Sequence, residues 1–235
     1  MSPRLIHASA LAVLALWSTL CQAETDIAQQ TLWKGTFDGW TFGYKSKPFD
    51  RNLYWQILDN GDLQAIGGDS YNTQSGMRSN AKFENYELTL EYKWLTPGNT
   101  PKTGNSGIWL HGQEGFHRAG GAFPNSIEVQ LRKTSAGDLL RKGLEIDGEP
   151  GFASEGEAVF QRTPKRSNEH FHNQWNALKI MCKGAEITVW LNGVLVNKAI
   201  NCRLKNGPPV TSGYITLQAE IGTLVFRNIL IHPIK

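Results

Sequence analysis

Long apolar runs, helical periodicity and cysteine are all scarce in this sequence, and each absence removes a class of protein. Past the N-terminal leader, no stretch approaches the roughly 18 consecutive apolar residues of a membrane-spanning helix. No apolar pattern at i, i+3, i+4 persists long enough for an amphipathic helix, which excludes bundles and coiled coils. Cysteine occurs three times in 235 residues, and never at zinc-ligand spacing. Charge is close to balance, with 24 basic and 21 acidic residues for a net +3. Without a basic arm there is little electrostatic pull toward nucleic acid. No internal repeat and no second domain is visible.

What is present begins with a leader. Arg4 supplies a positive start, Ala8 to Leu20 forms a short apolar run, and Cys21-Gln22-Ala23 offers a small-residue cleavage site before Glu24. This order predicts a secretory signal peptide over residues 1–23, too short in its apolar part to span a bilayer. Leu20 is bulky where lipid attachment at Cys21 wants a small residue, so cleavage after Ala23 is expected. The remaining chain, residues 24–235, is long enough for one sizeable sandwich. A periplasmic or secreted location follows, with no transmembrane segment in the mature chain.

Period-2 alternation dominates what remains and predicts an all-β sandwich. Phe83 to Leu95 places Leu88, Leu90, Tyr92 and Trp94 on one face and Thr89, Glu91 and Lys93 on the other. Ile108 and Leu110 oppose Trp109 and His111; Ile127, Val129 and Leu131 oppose Glu128 and Gln130. Strands over 175–182, 186–191 and 194–200 make a meander whose Asn192-Gly193 pair is a two-residue hairpin signal. In the last strands, 213–219 and 223–232, Ile215, Leu217 and Ala219 oppose Thr216, Gln218 and Glu220. Several strands thus share a polar face rich in Glu, Gln, His and Trp, which reads as a binding groove. Eight tryptophans suit sugar faces as well as a core. Residues 112–124 and 133–174 are weakly periodic and read as irregular.

In an exported chain Cys182 and Cys202 are expected either to pair or to remain two buried thiols. A disulfide would contribute roughly 3 kcal/mol. The meander puts them on non-adjacent strands about 9–10 Å apart, so a bridge requires one to leave its strand.

An ordered set of short motifs goes further. Asn105-Ser106-Gly107-Ile108, Glu128-Val129-Gln130, Trp175-Asn176, Asn192-Gly193, Gly213-Tyr214-Ile215-Thr216-Leu217-Gln218 and Phe226-Arg227-Asn228-Ile229 follow one another. Leu32-Trp33-Lys34-Gly35, Gly39-Trp40, Trp55 and Asp62-Leu63 precede them. Over residues 31 to 233 the chain resembles the 3-keto-disaccharide hydrolase family. The resemblance implies a concanavalin-like jelly roll of two antiparallel sheets. It also implies cleavage of glycosides oxidised at C3 by a partner sugar dehydrogenase, with no nucleotide cofactor of the enzyme's own.

An ordinary retaining glycosidase needs two carboxylates about 5–5.5 Å apart. Glucanases of similar fold carry Glu-x-Asp-x-x-Glu on one strand, whereas Glu128-Val129-Gln130-Leu131-Arg132-Lys133 lacks the second and third acids. A 3-keto sugar permits another route, in which a base removes the acidified C2 proton and the C1 aglycone leaves. Glu128, Glu220 and His111 are the candidate acids and bases. Arg78 and Lys93, or a divalent metal, are candidates to stabilise the enolate oxygen. Asn105, Gln130 and Gln218 would orient hydroxyls, and Trp109 would stack on the sugar. His117, His170 and His172 lie in the irregular segments. Asp138 and Asp147 fall where the family often carries further acids, but the Arg132-Lys133 continuation departs from that pattern. A non-catalytic carbohydrate-binding module and an envelope interaction domain are the competing readings.

Overall fold

The computed structural model describes residues 28–45, 47, 49–68, 73–95, 104–132, 135–161, 168–170 and 173–235. The leader expected at residues 1–23, and His172, lie outside the described residues. No helix among the described residues is long and apolar enough to cross a membrane.

The strands in chain order are β1 (Gln30–Thr31), β2 (Trp40–Tyr44), β3 (Trp55–Ile57), β4 (Leu63–Ile66), β5 (Ser75–Glu84), β6 (Tyr86–Trp94), β7 (Asn105–Gly112), β8 (Ser126–Arg132) and β9 (Leu139–Lys142). There follow β10 (Leu144–Gly148), β11 (Phe152–Glu155), β12 (Ala158–Gln161), β13 (Asn176–Lys183), β14 (Glu186–Leu191), β15 (Val194–Leu204), β16 (Ser212–Ala219) and β17 (Thr223–Pro233). They form two antiparallel sheets. One has nine strands in the order β10-β15-β14-β13-β6-β17-β4-β3, with β1 paired to β17. The other has eight, in the order β11-β12-β9-β8-β7-β16-β5-β2. The expected jelly-roll sandwich is the observed fold.

Alternation decides which side chains fill the space between the sheets. Ile108, Leu110, Ile127, Val129, Leu131, Ile215 and Leu217 point inward from the eight-stranded sheet and are fully buried. Leu88, Leu90, Tyr92 and Trp94 meet them from β6. Each such side chain contributes roughly 1.5–3 kcal/mol by leaving water. The odd-numbered partners on β7 and the even-numbered ones on β8 and β16 are therefore forced onto the outer face of the eight-stranded sheet.

The structure revises the expected elements in three places. Phe83 and Glu84 end β5 and do not begin β6; Asn85, at φ 48°, makes the turn between them and accepts the Gly184 N–H at 2.7 Å. Residues 133–174 hold four strands, β9 to β12, each only four or five residues long. Runs that short alternate too briefly to rise above their turns. Finally, Cys182 and Cys202 are buried free thiols and not a disulfide. β14 runs between β13 and β15, and Cys202 stays within β15, so neither cysteine leaves its strand. Burial pushes both thiols up to about 12.

Asn192 shows how a hairpin turn is built into the fold. It adopts φ 50° and Gly193 φ 79°, as a type I′ turn requires. Its Oδ1 accepts the Ala177 N–H at 2.8 Å, while its Nδ2 donates to Asn168 O at 2.6 Å and Asn176 Oδ1 at 2.9 Å. Asn192→Ala removes these bonds and strains the backbone, so it should cost about 2–3 kcal/mol. Asn192→Gly, which keeps the φ, should cost less. Urea unfolding midpoints at unchanged slope measure both, and a loss under about 0.5 kcal/mol for Asn192→Ala would contradict this role.

Candidate functional site

The outer face of the eight-stranded sheet carries a polar cavity of about 480 Å³. Register arranges its floor in three rows that run across the strands. The first row is Lys45, Gln74, Glu220, Asn105 and Arg132, at or just beyond the ends of β2, β5, β16, β7 and β8. The Lys45 N–H donates to Gln74 O and the Asn105 N–H to Ile221 O, both at 2.9 Å, and Asn105 pairs with Arg132. The second row is Gly43, Gly76, Gln218, Gly107 and Gln130. The third is Arg78, Thr216, Trp109, Glu128 and Leu140.

Gly107, between Gln218 and Gln130 in the second row, lies beneath two of these side chains. A Cβ there would lie 2.5 Å from Glu128 Oε1 and 3.0 Å from Gln218 Oε1. Only a residue without a side chain lets Glu128 and Gln218 fold down over β7 from either side.

Glu220 is buried and held by amides. Gln74 Nε2 donates to Oε1, and Asn105 Nδ2 and Gln218 Nε2 donate to Oε2, the last at 2.9 Å. Burial raises its pKa to about 7 even though Lys142, Lys45 and Arg132 pull it down. Glu128 is 3% exposed, and burial raises it further, to about 8. Lys142 Nζ stands 3.6 Å from Glu128 Oε2, but its attraction does not offset the loss of hydration. The charge of Glu220 adds to the upward shift of Glu128. Gln130, with its amide nitrogen turned inward, donates to Ser106 O at 2.9 Å and to Asn105 Oδ1 and Glu128 Oε1 at 3.2 Å. Gln218 Oε1 and Trp109 Nε1 are buried without a protein partner.

The structure brings together Glu128, Glu220, Asn105, Trp109, Gln130 and Gln218, six of the nine residues singled out in the sequence. It does not bring in the other three. His111 was expected beside Trp109 on the polar face. Leu110 and His111 instead form a bulge opposite Ile215, with His111 at φ 52°, and the bulge breaks the alternation. His111 is fully buried, its ring nitrogens lack partners, and burial lowers its pKa to about 4. Arg78 shares the face but lies between the rings of Phe116 and Tyr214, 4.8 and 4.1 Å from their centroids. Lys93 belongs to β6 in the other sheet, over Trp175. Trp109 lines the cavity and stacks on Phe123, with centroids 4.3 Å apart.

Five polar or charged lining residues were not among the candidates; one, Arg132, ends β8. Gln74 and Lys45 extend the alternation of β5 and β2 by one step past the strand ends. Lys142 ends a strand in the segment read as irregular. Arg118 comes from the loop between β7 and β8, which folds back through the Arg118–Phe123 bridge to wall the cavity. No periodic signal marks that loop.

Two neutral-range carboxyls can exchange protons with a ligand at neutral pH, and the amides around them suit sugar hydroxyls. Among the described residues no group of three or more His, Cys, Asp or Glu side chains could hold a metal ion.

The family model of the 3-keto-alpha-glucoside-1,2-lyase-like domain matches residues 29–232. No curated protein matches the sequence. Among solved structures, two candidate glycosyl hydrolases of Parabacteroides distasonis ATCC 8503 share the fold. One is 21% identical at TM-score 0.56, with 88% of this chain and 100% of that one covered. The other is 18% identical at TM-score 0.57, with 88% and 94% covered. The carbohydrate-binding module CBM66 of Bacillus subtilis is 17% identical at TM-score 0.50, with 81% and 93% covered.

Raised carboxyl pKa values carry a consequence for stability. In the unfolded chain Glu128 and Glu220 titrate near the ordinary 4.5, and in the folded protein near 8 and 7. Folding therefore favours their protonated forms. That contribution is complete below about 4.5 and is lost as pH rises through about 7 and 8. Glu128→Gln should melt close to wild type at pH 5 and roughly 4–8 °C higher at pH 9. Thermal melts across this range check it, and a difference that does not vary with pH would contradict the burial account.

Proposed function

We propose that this chain, which belongs to the 3-keto-alpha-glucoside-1,2-lyase-like family, is an exported enzyme that cleaves 3-keto-glycosides by β-elimination and hydration. The observation that supports this reading most is the pair of buried carboxyls, Glu128 and Glu220, set near neutral pKa in one amide-lined cavity.

Glu220 is the proposed base. Its three amide donors hold one carboxylate orientation and stabilise the charged form, so it takes the C2 proton that the C3 ketone acidifies. Glu128, protonated at neutral pH, is the proposed acid. It gives its proton to the C1 oxygen as the C1–O bond breaks and the C1–C2 double bond forms. Lys142, beside Glu128, is the proposed counter-charge for the developing enolate. Water then adds across the double bond, its hydroxyl at C1 and its proton at C2. The net reaction consumes one water and releases the aglycone and a 3-keto sugar. A sugar C3-dehydrogenase acting earlier would supply the ketone.

No step is assigned to a divalent ion, because the donors do not suit one. Both oxygens of Glu220 accept amide N–H groups and Glu128 faces an ammonium. Binding without cleavage is the second reading, favoured by the fold shared with CBM66.

Product formation from a 3-keto disaccharide, beside its unoxidised parent, separates the two readings. Only the keto sugar should be cleaved, with and without chelator. The kcat/KM profile should rise through about 7 and fall through about 8, the values belonging to the pair. Glu220→Gln and Glu128→Gln should each lower turnover about 10²–10⁴-fold while the fold survives. Sugar binding without product from either sugar would leave the binding module.

A further inference from the structure

The cavity holds more positive charge than the proposed chemistry uses. Four cationic side chains line it, Lys45, Arg118, Arg132 and Lys142, each from a different segment, against the two carboxyls Glu128 and Glu220. The whole chain is only +3 over 235 residues, so this excess is local and not a general basicity. Lys142 is engaged by Glu128 and by Glu157, 3.2 Å away. Arg118 and Arg132 are different: among the described residues, no carboxylate forms an ion pair with either. Arg118 is half-buried in the loop wall and Arg132 is exposed at the end of the Glu220 row. A neutral sugar offers hydroxyls, which the amides already serve. Two guanidinium groups without an ion-paired carboxylate at the same opening match an oxyanion, with which they form charge-assisted and often bidentate hydrogen bonds.

We propose that the substrate is an acidic glycoside, whose carboxylate or sulfate ester docks on Arg118 and Arg132. This rests on the functional reading above and names its substrate class. The amide row orients the sugar while the arginines select the charged member of each pair of otherwise equal substrates. Glu157 at the rim, over Lys142, adds a like charge that keeps the anion toward the arginine side.

The experiment compares three 3-keto substrates with one common aglycone, a glucoside, a glucuronide and a 6-sulfated glucoside. Alongside, the affinities of the three unoxidised counterparts are measured by calorimetry at low and high salt. One or both anionic substrates should exceed the neutral one about tenfold or more in kcat/KM, as expected of a charge-assisted contact. The better of the two distinguishes carboxylate from sulfate. The preference should shrink with salt and fall toward unity in Arg118→Gln/Arg132→Gln. Equal use of neutral and anionic substrates, or a preference that the double variant retains, overturns the inference and leaves the cleavage reading intact. If no keto substrate is turned over, the cleavage reading fails. The unoxidised sugars then decide the inference, which stands on tighter anion binding lost in the double variant and falls without it.

Discussion

A carboxyl group taken out of water must be protonated or surrounded by donors, and this sheet buries two of them in one cavity. The ways in which that cost is met organise the cavity. Glu220 meets it with three amide N–H groups drawn from β7, β16 and the residue before β5. Glu128 meets it by holding its proton into the neutral range, with Lys142 alongside. Two acids of one residue type thereby acquire different characters from their neighbours alone. Gln218 links the two, since its amide nitrogen reaches Glu220 and its oxygen sits over Gly107 opposite Glu128.

This arrangement depends on register. The hydrophobic core between the sheets locks β7, β8 and β16 so that their polar residues face outward in rows, and a slip of one residue would turn every one of them inward. Gly107 then provides room for two of them. A methyl group there would meet Glu128 and Gln218 at once, so both side chains lie over β7 because that position has no side chain. The loop from β7 to β8 completes the wall by laying Phe123 on Trp109, which ties one face of the tryptophan into the scaffold.

Those features were legible in the sequence to different degrees. Strict alternation exposed Glu128, Gln130 and Gln218, because each sits between core residues whose burial leaves no other choice, and one step past β16 it reached Glu220. His111 was misplaced by the same reasoning that put the others on the outer face: alternation was extended through a bulge that only the partner strand reveals. Lys93 obeys alternation on β6, but β6 lies in the opposite sheet, and no local pattern says to which sheet a strand belongs. Lys45 and Gln74 reach the cavity one step past their strands, Lys142 from the end of a four-residue strand and Arg118 from a loop, where periodicity is short or absent. The thiols of Cys182 and Cys202 follow from β14 lying between their strands, a separation the meander already implied.

Deuterium at C2 is the most direct test of the central claim that a cavity carboxylate removes the C2 proton. A 3-keto disaccharide is cleaved in heavy water and the released keto sugar is read by NMR early, before the ketone exchanges by itself. Elimination and hydration predict one solvent deuterium at C2 per turnover. A product that keeps its original hydrogen at C2 would mean direct displacement at C1, and would contradict the account.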